Sequence, residues 1–204
     1  MYKKPVIVFE GIEGSGKSFH ITNVCNYLKK NKIPFLKLRE PGGSKNSESI
    51  RKLILNKKSN FNKNTDLLLY LASRSENISL LKKNYRKKVI IIDRFTDSTI
   101  AYQHFGLGVN LSFIENINNY IIDGFKVDFT FLNIVNNNNM VRRLKKRKKL
   151  NRYDKFDKKF YAKTQNGFLN LSKKNKKKYL IVNSNLEIKK NKIIIIKKID
   201  ELIK

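Results

Sequence analysis

The sequence contains very little of what marks secreted or membrane-spanning proteins. Its 204 residues include one cysteine, three prolines and no tryptophan, and only 16 acidic residues stand against 45 lysines and arginines. A single cysteine, Cys25, cannot form an internal disulfide, which favours a reducing compartment. Cys25 falls on a helical stripe with Ile21, Val24 and Leu28, so we expect it in the core. The longest apolar runs, such as residues 193–196, fall far short of the roughly 20 residues that a membrane-spanning helix needs. We therefore expect a cytoplasmic protein with no membrane partner.

The net charge of +29 would ordinarily suggest a polyanionic partner such as nucleic acid. However, the excess consists of 36 lysines and only nine arginines, and the lysines fall in runs such as residues 173–178. This pattern indicates a compositional bias rather than a binding face, and we do not expect a nucleic-acid partner. The arginines are more informative, because the guanidinium group matches phosphate geometry.

Apolar runs alternate with segments of helical periodicity along the whole chain. Strands are predicted at residues 6–9, 35–39, 88–93, 129–134 and 179–183. Helices are predicted after the first strand and at residues 47–55, 65–81, 111–122, 137–146, 154–173 and 189–204, although four consecutive isoleucines in the last segment would also suit a strand. This alternation predicts an α/β fold with a five-stranded parallel sheet between two layers of helices, in a single domain of residues 1–204.

Residues 11–18 carry a phosphate-binding pattern. They read GIEGSGKS, which matches G-x-x-x-x-G-K-[ST] and lies between a predicted strand and a predicted helix, as in P-loop NTPases. Glycines let backbone N–H groups turn toward phosphate oxygens at the helix N-terminus. Lys17 can reach the β- and γ-phosphates, and the Ser18 hydroxyl can ligate Mg²⁺. The expected phosphate-binding residues are Gly11, Glu13, Gly14, Ser15, Gly16, Lys17 and Ser18.

The third predicted strand ends in Asp93 and Arg94. Ligands of open α/β sheets bind at the carboxyl ends of the strands, so Asp93 can reach the magnesium region and Arg94 can bind a second phosphate. No Asn-Lys-x-Asp motif for reading guanine occurs, which counts against a GTPase. A nucleic-acid-binding P-loop ATPase is a remaining alternative, but the chain lacks the strand ending in adjacent acidic residues that is typical of that class.

Four of the nine arginines fall within eleven residues, at positions 142, 143, 147 and 152. A mobile loop that carries cations over ATP suits phosphoryl transfer, because negative charge develops on oxygens from which water must be excluded. We therefore predict a lid around residues 142–153, with Arg143 as an additional phosphate ligand.

Several strings together resemble the thymidylate kinase family from residue 6 to about residue 184. Besides the P-loop they are Arg39-Glu40-Pro41-Gly42-Gly43, Ser49-Ile50-Arg51, Tyr70-Leu71-Ala72-Ser73-Arg74, Asp93-Arg94-Phe95, Ser98-Thr99-Ile100-Ala101-Tyr102-Gln103 and Leu150-Asn151-Arg152-Tyr153-Asp154. A P-loop without arginine beside an arginine-bearing lid resembles the bacterial subtype. Tyr70 stands where the family usually has Phe, and the loop after Gln103 lacks the usual glycine and arginine.

The resemblance implies transfer of the γ-phosphoryl group of ATP to dTMP, with Mg²⁺, in a homodimer. It implies that Arg74 and Gln103 hydrogen-bond the base while Tyr70 stacks on it. The implied dTMP site comprises Glu13, Arg39, Arg51, Tyr70, Arg74, Arg94, Ser98, Tyr102 and Gln103, and the implied catalytic residues are Lys17, Asp93, Arg94, Arg147 and Arg152. Ser18 and Asp93 would hold the metal, directly or through water. Another P-loop kinase, acting on a deoxynucleoside or a different nucleoside monophosphate, is the alternative within this class.

Overall fold

A parallel sheet of five strands forms the centre of the computed structural model, which describes residues 3–147 and 151–204. The strands are β1 (Val6–Glu10), β2 (Phe35–Arg39), β3 (Val89–Asp93), β4 (Phe129–Ile134) and β5 (Tyr179–Asn183). They lie in the order β2-β3-β1-β4-β5, and every pairing is parallel. The predicted α/β fold and its five strands are confirmed. No helix in residues 3–147 or 151–204 is long and apolar enough to cross a bilayer.

The strand order brings the predicted motifs to one edge of the sheet. β1 lies between β3 and β4, and Phe9 of β1 pairs with Asp93 of β3 and with Phe131 of β4. The P-loop follows β1 directly and Arg94 follows β3 directly, so both leave the sheet at neighbouring carboxyl ends. β2 and β3 lie on one side of β1, and β4 and β5 lie on the other. Open α/β sheets bind ligands at the point where the chain changes from one side to the other.

The described helices flank this sheet on both faces. They are α1 (Lys17–Lys30), α2 (Lys45–Leu55), α3 (Lys63–Asn84), α4 (Thr96–Thr99), α5 (Leu111–Ile122), α6 (Asn137–Lys145), α7 (Lys158–Lys174) and α8 (Ile188–Ile203). The ambiguous last segment is thus a helix, as predicted. Helix α7 begins four residues later than expected, because Asp157 caps its N-terminus and Arg152–Lys155 form a separate 3₁₀ turn.

Alternation of side chains along the strands divides the core between the two faces. Ile7 and Phe9 of β1 pack with α1 and α8, whereas Val6 and Val8 pack with residues from α3 and the segment before β4. Cys25 packs against the first of these clusters but is only partly buried, so the expectation of a core cysteine holds in part. Burial of strand side chains on both faces fixes the sheet, and with it the position of the strand ends.

Helix α4 and the π-helical segment that continues it were not predicted. After α4 the chain continues as a π-helical segment, Ile100–Gly106, in which four consecutive residues from Ile100 to Gln103 are buried. Consecutive burial gives no apolar stripe of period 3.6, so the pattern that identifies helices is missing here. This π-helical segment packs closely against α7.

Gly167 of α7 provides a test of that packing. A Cβ added at Gly167 would lie 2.6 Å from Cδ2 of Phe105. We expect Gly167→Ala to lower the free energy of unfolding by about 1–3 kcal/mol, because overpacking outweighs the gain in helix propensity. Chemical denaturation measures the change. The exposed neighbour Asn166→Ala is the control and should be neutral or slightly stabilising; equal behaviour of the two variants would contradict the close packing.

Candidate active site

A cavity of about 240 Å³ opens at the carboxyl edge of the sheet, above β1 and β3. It is lined by residues from the P-loop, from the ends of β2 and β3, and from α2, α3 and the π-helical segment. The predicted site residues that line it are Glu13, Lys17, Ser18, Arg39, Arg51, Tyr70, Asp93, Arg94, Ser98, Tyr102, Gln103 and Arg147. Residues predicted for ATP, for the metal and for the acceptor nucleotide therefore meet in one cavity.

The P-loop holds Lys17 at the base of this cavity. Gly16 has a φ of 84° and ends the loop where α1 begins, and the Lys17 ammonium donates to the carbonyls of Gly11 (2.7 Å) and Ile12 (3.1 Å). Burial and the nearby Arg94 guanidinium lower the pKa of Lys17 to about 8. A Cβ at Gly11 would lie 2.2 Å from the Asn133 carbonyl oxygen, so this first position of the motif accepts only glycine.

Arg94 and Glu13 form an ion pair across the cavity wall. Nη2 of Arg94 donates to Oε1 of Glu13 at 2.9 Å, Nη1 donates to Oγ of Ser98 at 3.2 Å, and the guanidinium lies 5.0 Å from the centre of the Tyr102 ring. The Tyr102 hydroxyl donates to the other oxygen of Glu13. Burial opposes ionisation of Glu13, but Arg94 and Lys17 together hold its pKa below the ordinary value.

Glu10 binds backbone and side-chain groups of the residues that follow Arg94. Arg94 has a φ of 68°, in the left-handed region, and Glu10 accepts the backbone N–H of Phe95 at 2.7 Å and the Ser98 hydroxyl at 2.5 Å. Burial, reinforced by the charge of Asp97, raises the pKa of Glu10 to about 8. Sequence reasoning missed this residue, which reads only as the last residue of a strand.

The side of the cavity formed by α2, α3 and the end of β2 carries the residues predicted for the acceptor nucleotide. Arg39 is half exposed and paired with Glu48 at 3.0 Å, while Nη1 of Arg51 donates to the Pro41 carbonyl at 2.5 Å. Tyr70 lies edge-on to Tyr153, with ring centres 6.1 Å apart, and burial raises the pKa of Tyr70 to about 12. A base-sized aromatic face thus lies near two guanidinium groups.

Arg74 does not line the cavity. Its side chain is buried, with Nε donating to Glu40 at 2.8 Å, Nη1 donating to Asn118, and the guanidinium 5.1 Å from the centre of the Phe95 ring. The structure therefore places Arg74 behind the cavity wall formed in part by Glu40. Its predicted contact with a base stays a prediction.

The arginines of the predicted lid occupy three different places. Arg143 donates to the carbonyls of Gly14 (2.8 Å) and Ser184 (2.6 Å), beside the P-loop, and Arg147 pairs with Asp154 at 3.0 Å on the cavity rim. Arg152 pairs instead with Asp66 and donates to the Ile54 carbonyl, on the side of α2 and α3. The structure brings Arg143 to the P-loop but not Arg152. Residues 148–150 of the predicted lid lie outside the described residues.

The residues that sequence reasoning missed contribute mainly to the cavity wall. They include Glu40, Leu55, Asn151 and Tyr153, which line the cavity, and Asp66, which lies behind it. Glu40, Asn151 and Tyr153 belong to the strings that carry the family resemblance. The only signal for them in the sequence is that each is adjacent to Arg39 or Arg152.

Ser18 and Asp93 could hold a metal ion together with a bound nucleotide. Both line the cavity, and a hydroxyl and a carboxylate supply the hard oxygen donors that Mg²⁺ prefers. No group of three or more His, Cys, Asp or Glu side chains suited to a metal occurs in the described part of the chain. Such a sparse donor set fits Mg²⁺, which commonly takes its remaining ligands from water and substrate phosphates.

The fold and the cavity define the class of protein. A P-loop after β1, an acidic residue followed by arginine after β3, and an aromatic, arginine-lined chamber beside them are the parts of a P-loop kinase that acts on a small phosphorylated acceptor.

Comparison with known proteins gives the particular family. The family model described as thymidylate kinase matches residues 9–195. Thymidylate kinase of Thermosipho africanus is 37% identical over 82% of this chain and 84% of its own, and that of Clostridium novyi is 34% identical over 93% and 95%. The crystal structure of thymidylate kinase from Ehrlichia chaffeensis matches with a TM-score of 0.77 at 30% identity, covering 97% of this chain and 98% of the other. The chain belongs to the thymidylate kinase family, and it is an enzyme that phosphorylates dTMP with ATP.

The lowered pKa of Lys17 predicts a pH dependence of nucleotide binding. The ammonium form attracts phosphate, so affinity for a non-hydrolysable ATP analogue with Mg²⁺ should fall as the pH rises through about 8, by at most about tenfold per pH unit. Calorimetric titrations between pH 7 and 9.5 measure this. Lys17→Met should bind weakly with a flat profile, whereas Glu10→Gln should keep the slope, although Glu10 also titrates near this pH. A slope that persists in Lys17→Met would contradict the assignment.

Proposed function

We propose that the P-loop binds ATP and that dTMP binds beside it, with its phosphate near Arg94 and its base near Tyr70. The observation that carries this assignment is that Lys17, Arg94 and Tyr70 line one cavity. The cavity has a volume of about 240 Å³, and the P-loop residues Glu13, Lys17 and Ser18 form one side of it.

No general base is needed for this reaction. The attacking oxygen belongs to a phosphate monoester that is largely ionised at neutral pH, so the main obstacle is repulsion between two polyanions held in line. Fixed positive charge removes that obstacle, and Lys17 and Arg94 provide it from the two sides of the transferred group. Asp93 has the role of positioning Mg²⁺ and its waters rather than removing a proton. Ser18 and Asp93 would hold Mg²⁺, which would supply positive charge against the triphosphate.

Glu13 and Tyr102 serve the sugar of the acceptor. Glu13 accepts from both Arg94 and Tyr102, so its carboxylate has a fixed orientation at the cavity wall. By family resemblance it lies near the 3′-hydroxyl, while Tyr102 crowds C2′ and disfavours ribonucleotides. Ser98, Arg39 and Arg51 complete the acceptor site.

The lid completes the ATP site within a single domain of residues 1–204. Arg143 already contacts the P-loop. Arg147 lies on the cavity rim, 38% exposed and paired with the buried Asp154, and from there it can move to the transferred phosphoryl group. Arg152 would have to leave its buried partner Asp66 to act on phosphate. We therefore assign phosphate contact to Arg143 and Arg147 before Arg152.

We also infer a cytoplasmic homodimer. Large apolar side chains are exposed on the adjacent helices α3 and α5, among them Leu68, Phe113 and Tyr120, the last 86% exposed. Burial of such side chains favours association. Sedimentation velocity at micromolar concentration tests the dimer, with a single 24.0 kDa species as the contrary result.

A substrate panel tests the proposed specificity. Phosphorylation of dTMP, dUMP, dCMP, AMP and thymidine is measured with ATP and Mg²⁺ in a coupled assay for ADP. We expect dTMP to have the highest kcat/KM and thymidine to be inert, because the nucleoside lacks the phosphate that Arg94 binds. A higher kcat/KM for thymidine or for AMP would contradict the proposed specificity and indicate a P-loop kinase with a different acceptor.

Replacement of Arg94 tests the charge argument. Arg94→Ala should lower kcat by a factor on the order of 10², comparable to losing one preorganised charge donor. The control is Arg86→Gln, which also removes one arginine but lies before β3, at the opposite end of the strand, where Arg86 pairs with Asp128. Near-normal steady-state rates in Arg94→Ala, with a folded protein, would refute the role.

A further inference from the structure

Asp66 accepts hydrogen bonds from three side chains, one in the π-helical segment and two in the 3₁₀ turn before α7. It lies in the first turn of α3 and is 1% exposed. Its Oδ1 pairs with Arg152, and its Oδ2 accepts the Tyr153 hydroxyl at 2.7 Å and Nε2 of Gln103 at 3.0 Å. The catalytic assignments leave this buried carboxylate without a role.

The contact with Gln103 fixes which end of the amide faces Asp66. An ionised carboxylate only accepts hydrogen bonds, whereas a glutamine amide has one donor end and one acceptor end. The Tyr153 hydroxyl gives its proton to Asp66 and lies 3.4 Å from Nε2 of Gln103, so it too presents an acceptor to the amide. Both neighbours therefore require the NH₂ group on the Asp66 side.

The other end of the amide is left for a ligand. Gln103 lines the cavity, is 1% exposed, and its Oε1 is buried without a hydrogen-bond partner. A buried acceptor without a partner is costly, and a ligand that donates a hydrogen bond to it removes that cost. Thymine and uracil carry a proton on N3, whereas cytosine presents a lone pair there.

We propose that Asp66 is a specificity-determining positioning residue, which holds the Gln103 amide so that Oε1 accepts the N3–H of thymine and rejects cytosine. This inference rests on the proposed binding of dTMP in the cavity and deepens it. Asp66 itself does not touch the substrate; it acts through the orientation of Gln103.

Asp66→Asn is the direct test, because an asparagine amide can donate to Oε1 and let the Gln103 amide turn over. The ratio of kcat/KM for dTMP to kcat/KM for dCMP should fall by at least about tenfold, since a polar group left unpaired discriminates strongly. Loss of the Arg152 ion pair alone would lower both values together and leave the ratio unchanged, and that result would overturn the proposal.

Two controls isolate the amide. In a Gln103→Leu background, adding Asp66→Asn should no longer change the ratio, whereas an equal change there would show that Asp66 acts by another route. Tyr153→Phe, which removes the other hydrogen bond to Oδ2 but keeps an acceptor-only partner for Nε2, should retain the ratio within about threefold; a collapse as large as that of Asp66→Asn would contradict the argument.

A measurement on the unaltered protein covers the case in which Asp66→Asn does not fold. Calorimetric binding of dTMP is compared with that of its N3-methyl derivative, which cannot donate from N3. We expect at least about a hundredfold loss of affinity, and equal binding would overturn the proposal. If the unaltered enzyme binds dTMP but does not phosphorylate it, the proposed function fails while this comparison still decides the inference.

Discussion

The partly buried ion pair between Arg94 and Glu13 is the interaction on which the site depends. It links the P-loop after β1 to the segment after β3, and parallel pairing of these strands brings the two residues to the same edge. A buried charge needs a partner, so Arg94 and Glu13 hold each other in the cavity wall. The P-loop and the segment after β3 thereby share one direct contact in the wall of the cavity that both of them line.

Carboxylates in or behind the cavity wall have a similar role at three arginines. Glu10 holds the backbone around Arg94, Glu40 holds Arg74, and Asp66 holds Arg152. The cationic character of the site therefore comes from a few oriented guanidinium groups with fixed partners. The large excess of lysine contributes a general attraction for anions, but it does not decide where a phosphate binds.

The features that local sequence patterns determine, namely the strands and the residues at their ends, were predicted correctly. Five apolar runs identified the strands, and the rule that ligands bind at strand ends placed Lys17, Asp93 and Arg94 in one site. The π-helical segment was missed because its buried residues are consecutive and show no helical period. The ion-pair partners of Arg74 and Arg152 could not be predicted, since Glu40 and Asp66 lie 34 and 86 residues away from them in the chain. Such partners are set by tertiary packing rather than by any local pattern.

The donor count of arginine explains how a side chain in a fixed ion pair can still bind substrate. A guanidinium group carries five N–H donors, and Arg94 uses Nη2 on Glu13 and Nη1 on Ser98. Donors therefore remain for the phosphate that we propose there, and its binding need not break the ion pair. Lysine has three donors on one atom and cannot present a fork of fixed geometry while held by a carboxylate. For this reason an arginine at the carboxyl edge of the sheet, such as Arg94, is a better marker of a phosphate site than the 36 lysines taken together.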